Sequence, residues 1–121
     1  MGEHGACASG PLTDPAARLT ALRGATLAAL EELGLRIDAV TAARADANTD
    51  DEHDPEGATI AFERSQAEAL RAATRARLAD IDAALDRIAA GTYGCCVVCD
   101  APIPEPRLQA RPFAATCLAH A

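Results

Sequence analysis

The sequence predicts a mainly α protein: a long antiparallel helical hairpin, of coiled-coil type, followed by a small cysteine-bearing module that ends in a short helix. Three observations predict it. Two long stretches repeat apolar residues at steps of three and four. The two stretches share one antiparallel register. A C-x2-C pair and a C-x2-H pair then follow within the last thirty residues.

Composition points the same way. Half of the 121 residues are apolar, yet aromatics are 2%, and the apolar share is largely alanine, 31 residues. Alanine favours helix but fills little volume. Thin alanine and leucine seams between helices suit this chain better than a broad globular core. No run of apolar residues is long enough for a spanning helix. Residues 1–11 lack the basic and apolar regions of a signal peptide. The reading is therefore a cytoplasmic protein with no membrane contact, whose five cysteines are metal ligands or free thiols rather than disulfides.

Residues 1–12 read as a flexible N-terminal tail, and Cys7 within it as an incidental thiol. Asp14-Pro15 and Asp54-Pro55 are helix starts, because aspartate accepts from free amides and proline suits the first turn. They open helices over about 15–44 and 55–90, within a hairpin spanning 13–91. The polar stretch ADANTDDEHDPE places an acidic tip near 45–56, and Gly91 closes the second helix. Leu19 with Ile88, Leu22 with Leu85, Thr26 with Ile81, Leu33 with Thr74, Ile37 with Leu70, and Val40 with Ala67 all fall on one antiparallel register. Leu30 with Leu78 is one residue off. The reversal is expected near His53 and Asp54, and a self-paired hairpin predicts a monomer. Gly24 and Gly34 weaken the first helix and are candidate points of close approach or bending.

Residues 92–121 form the module. Cys96, Cys99, Cys117 and His120 have the spacing of a four-coordinate zinc site. Thiolates and neutral imidazole suit zinc, and Pro112 is expected to start a short helix carrying Cys117 and His120. With all four positions filled by protein groups the metal is structural, one Zn2+ per chain, because a catalytic zinc keeps a position open. Cys95 competes with Cys96 for the first position, but the two-residue gap favours Cys96 and leaves Cys95 as a spare thiol.

Function classes narrow accordingly. All eleven basic residues are arginine, but the net charge is -7 and the pI about 4.8, which argues against direct sequence-specific DNA binding. No phosphate-cradling glycine loop or nucleophile motif is present, so the chain does not read as an enzyme.

Around the metal, Tyr93, Gly94, Cys96, Cys99, Ile103, Arg107, Leu108, Ala110, Pro112 and Cys117 resemble the pattern of the bacterial DksA/TraR zinc-finger family. His120 stands where the family has a fourth cysteine, and Asp100 where it usually has glycine. The resemblance implies a transcription regulator that inserts its hairpin into the secondary channel of RNA polymerase, where acids at the tip act near the active site. Some members work with the nucleotide ppGpp. The family tip reads Asp-Pro-Ala-Asp-x-Ala-Thr, against His53-Asp54-Pro55-Glu56-Gly57-Ala58-Thr59 here. No ungapped alignment keeps both aspartates, but Asp51, Asp54 and Glu56 keep the tip acidic. The alternative, motivated by the Cys95-Cys96 pair, is a zinc-stabilised interaction protein or thiol-based redox switch without a polymerase role.

Overall fold

The structure is a computed structural model. It describes the backbone of residues 14–47 and 55–121, and the side chains of 14–43 and 57–121. The element order is α1 (Pro15–Ala47), α2 (Pro55–Ala90), α3 (Glu105–Ala110) and a closing 3-10 turn, Leu118–His120. The two long helices form the expected hairpin. No strand occurs among the described residues; an isolated antiparallel bridge joins Cys95 and Pro102.

α1 starts as the sequence directs, and α2 opens at Pro55. The Asp14 carboxylate accepts the Ala16 amide at 3.1 Å, and Pro15 opens α1. At the far end of α2 the Thr92 amide reaches Arg87 O (2.8 Å) and the Gly91 amide reaches Ile88 O (3.1 Å). This is the two-bond closure that needs a left-handed residue, and Gly91 supplies it at φ 81. Asp54 and the acids Asp50 to Glu52 lie outside the described residues. Glu56 falls in the first turn of α2, with its backbone alone described.

The chain divides into two compact units. One contains α1 up to Ala25 together with Arg77–Ala121; the other is Thr26–Ala76. In the first, Leu19, Ile81, Ala84 and Tyr93 form the core. Leu22, Leu85, Ile88, Leu108 and Phe113 pack around them. The start of α1 thus lies against the end of α2, as an antiparallel pair requires. Arg23 and Asp82 join the same two helices at 2.6 Å; being nearly half exposed, the pair adds little stability. In the second unit Leu33, Ile37 and Ala67 are buried.

One seam position is corrected. Leu70 is 51% exposed, whereas Arg71 is half-buried. The covered face of α2 runs 60, 64, 67, 71, 74, 78, 81, with steps alternating strictly between four and three. Helical geometry therefore selects Arg71, whose methylene stem tolerates cover, over the more apolar Leu70. Thr74 Oγ1 turns back to Leu70 O at 2.7 Å, which satisfies its hydroxyl within the helix.

The glycines of α1 also differ from expectation. A methyl group at Gly24 or Gly34 would meet nothing within 4 Å, so neither serves a close approach. In urea titrations Gly24→Ala is expected to stabilise the protein by about 1 kcal/mol. Ile81→Ala, at a fully buried position, is expected to destabilise it by about 3 kcal/mol. Unchanged stability of the Ile81 variant would contradict the core described for the first unit.

Candidate metal centre

The module begins where α2 closes. Gly94 has a positive φ of 89, and the Ile103 amide returns to Gly94 O at 2.8 Å. The Cys96 amide bonds to Ala101 O at 2.8 Å, and the Asp100 amide to Cys96 O at 2.9 Å. These bonds curl residues 96–101 into a knuckle. Asp100 sits at φ 66, the left-handed conformation that explains why the resembling family uses glycine there. Aspartate is among the few side-chain-bearing residues that tolerate it.

The second half of the site is brought over by hydrogen bonds to backbone carbonyls. The Val97 amide donates to Ala115 O at 2.9 Å. Tyr93 Oη donates to Pro112 O at 2.8 Å, Arg107 Nε to Thr116 O at 2.9 Å, and Arg87 to Ala114 O at 3.3 Å. Arg18, from α1, holds Gln109 O at 2.8 Å. Burial pushes the Tyr93 hydroxyl above its usual range and keeps it a donor. Burial likewise lowers Arg87, whose Nε has no hydrogen-bond partner. The sequence singled out Tyr93 and Arg107 only as motif members. Arg18 and Arg87 carried no local signal, because their carbonyl partners are distant in the chain.

The expected helix from Pro112 does not form. Pro112 lies in a turn, and the short helix is instead α3, Glu105–Ala110. Pro106 fits the first turn of α3, while Cys117, in extended conformation, caps the 3-10 turn that carries His120. The spacing still brings Cys117 and His120 to one place.

The ligand-type atoms of Cys96, Cys99, Cys117 and His120 all lie within 4.8 Å of one another. Cys99 Sγ is 3.8 Å from Cys117 Sγ. His120 Nδ1 is 3.7 Å from Cys96 Sγ and 3.3 Å from Cys117 Sγ. Tetrahedral zinc with ordinary bond lengths separates two sulfurs by about 3.8 Å and a sulfur and a nitrogen by about 3.6 Å. The donors therefore fit one structural zinc, with Nδ1 as the imidazole donor. Cys96 is fully buried and anchors the site, while Cys99 and His120 are exposed.

Electrostatics agree. Although burial pushes the Cys96 thiol up, the amides of Cys117, Cys99 and Val98 bring it down to about 6. The Val98 amide approaches Cys96 Sγ at 3.4 Å. His120 lowers Cys117, and in return Cys117 and Cys96 raise His120. Cys99 moves up despite the Ala101 amide, because of burial and the neighbouring sulfurs. The cluster already favours thiolate at its centre, which metal binding requires.

Cys95 is not a ligand and not a spare thiol. It is buried, and unlike Cys96, Cys99 and Cys117 it is disulfide-bonded. This corrects the expectation of free or metal-bound cysteines only. The thiol-switch alternative drew on Cys95 as a free neighbour of the metal.

Comparison with known proteins follows this geometry. Residues 91–119 match the family described as the prokaryotic dksA/traR C4-type zinc finger; here the fourth position is His120. An uncharacterized protein of Aquifex aeolicus is 52% identical over 42 residues, covering 35% of this chain and 29% of that protein. The uncharacterized protein YteA of Bacillus subtilis is 42% identical over 66 residues, covering 54% of this chain and 28% of YteA. The matched region thus spans less than a third of the length of either relative. The solved structure of transcription factor DksA2 from Pseudomonas aeruginosa matches with a TM-score of 0.54 and 29% identity, covering 98% of this chain and 92% of that one.

The purified protein is expected to contain one zinc per chain by elemental analysis. Cys99→Ser is expected to lose it, and His120→Cys to retain it. Chelation is expected to unfold residues 92–121, removing on the order of 10 kcal/mol of binding energy. Full protection of module amides from hydrogen exchange after chelation would refute the structural role.

Proposed function

We propose that the chain is a member of the DksA/TraR family of zinc-finger proteins and a zinc-containing transcription regulator that binds RNA polymerase. The observation that carries this reading is the match to DksA2 over nearly the whole of both chains, hairpin and metal module together.

In this reading the zinc is structural, and the working part is the hairpin. The module, residues 92–121, is joined to the hairpin base by the packing of Tyr93 on Leu19, Ile81 and Ala84 and by the carbonyl bonds of Arg18 and Arg87. The hairpin enters the secondary channel, a passage that admits two paired helices but not a broad domain. Asp51, Asp54 and Glu56 are the tip residues proposed to reach the polymerase active site. Carboxylates there would act on a centre organised by magnesium and phosphates, both of which respond to added negative charge. The net charge of -7 suits protein contact rather than duplex binding. The reading requires no catalysis by the chain itself and places it in the cytoplasm as a monomer.

Co-purification with core RNA polymerase tests the proposal. The wild type is expected to be retained. Asp51→Ala/Asp54→Ala/Glu56→Ala is expected to be retained as well, while its effect on transcription in vitro falls about tenfold. No retention of zinc-loaded wild type would sink the polymerase reading. Full activity of the triple variant would remove the tip from it.

A further inference from the structure

The five cysteines leave a remainder once the metal is counted. Cys96, Cys99 and Cys117 are free thiols gathered at the metal site, whereas Cys95 is disulfide-bonded. Cys7 is the one cysteine left in the chain to pair with it. Cys7 lies outside the described residues, so the pairing rests on the state of Cys95, on the count and on reach. The reach is ample. Leu19 packs in one cluster with Tyr93, two residues before Cys95, and Arg18 holds Gln109 O in the module. The chain therefore enters α1 beside the module. Asp14 precedes Leu19 by about 8 Å of helix rise, and the stretch from Cys7 to Asp14 can extend to about 24 Å.

Cys95 is also fixed through its backbone. Its amide reaches Thr92 O at 3.3 Å, it forms the bridge with Pro102, and it is buried. The four donors fill the metal site without it. We propose that Cys7 and Cys95 form a reversible disulfide latch, which ties the chain ahead of α1 to the metal module and leaves the zinc donors untouched. The loop it closes contains both long helices. A bond across so long a loop stabilises chiefly by restricting the unfolded chain. In the cytoplasm proposed above, such a bond is a redox state and not a permanent fastening. Closing it oxidises two thiols to one disulfide. Both S–H bonds break and the S–S bond forms; hydrogen peroxide takes up the two electrons and two protons, its O–O bond breaks, and two waters leave. Opening it is exchange with a dithiol reductant. One thiolate of the reductant attacks the latch and displaces the first cysteine; its second thiolate displaces the other cysteine, and the reductant departs as its own disulfide. With zinc bound, the other three sulfurs carry the metal, and Cys7 and Cys95 are the thiols left to react. The latch does not depend on the polymerase reading.

The test uses the zinc-loaded full chain, reduced with a phosphine and then exposed to hydrogen peroxide at low stoichiometry. Remaining thiols are alkylated in denaturant, and the digest is mapped by mass spectrometry without reductant. Oxidation is expected to consume two thiols per chain, to link the Cys7 peptide to Cys95, and to leave one zinc bound. The phosphine is expected to reverse the link. The oxidised chain is expected to melt roughly 10 °C above the reduced one. Cys7→Ser, which alters no described residue, is expected to melt alike under both conditions. Cys95→Ser is expected to abolish the link too, and Cys7→Ser carries the test alone if that buried variant does not fold. A link from Cys7 to Cys96, Cys99 or Cys117 overturns the proposal, as does a disulfide-bonded dimer. So does release of zinc as the first two thiols are lost, or equal melting of the oxidised and reduced wild type.

Discussion

Convergence of three thiols and one imidazole on a single point is the constraint from which the rest of the molecule follows. The segment after α2 has little else to hold it. Its buried side chains are Tyr93, Cys95, Cys96, Ile103 and Ala114, with Pro112 covered beside them. So small a core cannot offset the entropy of ordering some thirty residues. Metal binding supplies what apolar burial cannot. The knuckle bonds, the closing 3-10 turn and the strained backbone at Asp100 are consequences of bringing those donors together.

The metal module and the hairpin base form one unit through the apolar cluster around Tyr93 and through the polar bonds of Arg18 and Arg87, while Tyr93 and Arg107 brace the module internally. Tyr93, Arg87, Arg107 and Arg18 each donate to a carbonyl between Gln109 and Thr116. That segment forms neither helix nor strand over most of its length, so its carbonyls have no regular partners. Side chains therefore satisfy them, as buried backbone demands. Arginine is suited to this role: its several donors let one group hold a carbonyl while its stem covers apolar surface. The use of arginine in place of lysine throughout the chain is intelligible in these terms.

The same property separates two uses of arginine at one end of the molecule. Arg18, Arg87 and Arg107 are spent on the fold. Arg77 and Arg111 lie over the Phe113 ring.

Much of this was written locally. Asp14-Pro15, Pro55 and Gly91 mark the helix ends, since caps, prolines and left-handed glycine act within a few residues. The three-and-four spacing set the hairpin, and the cysteine and histidine spacing set the donor set. The chain alone did not determine that Arg71, not Leu70, takes the covered position, because strict helical phase outweighs local hydrophobicity only once a partner helix is present. Nor did it determine that Cys117 and His120 meet through a 3-10 turn instead of a helix from Pro112, or that Cys95 is withdrawn from the free thiols. Those outcomes, and the gathering of distant arginines around Phe113, depend on contacts between residues far apart in sequence, and only the tertiary structure decides them.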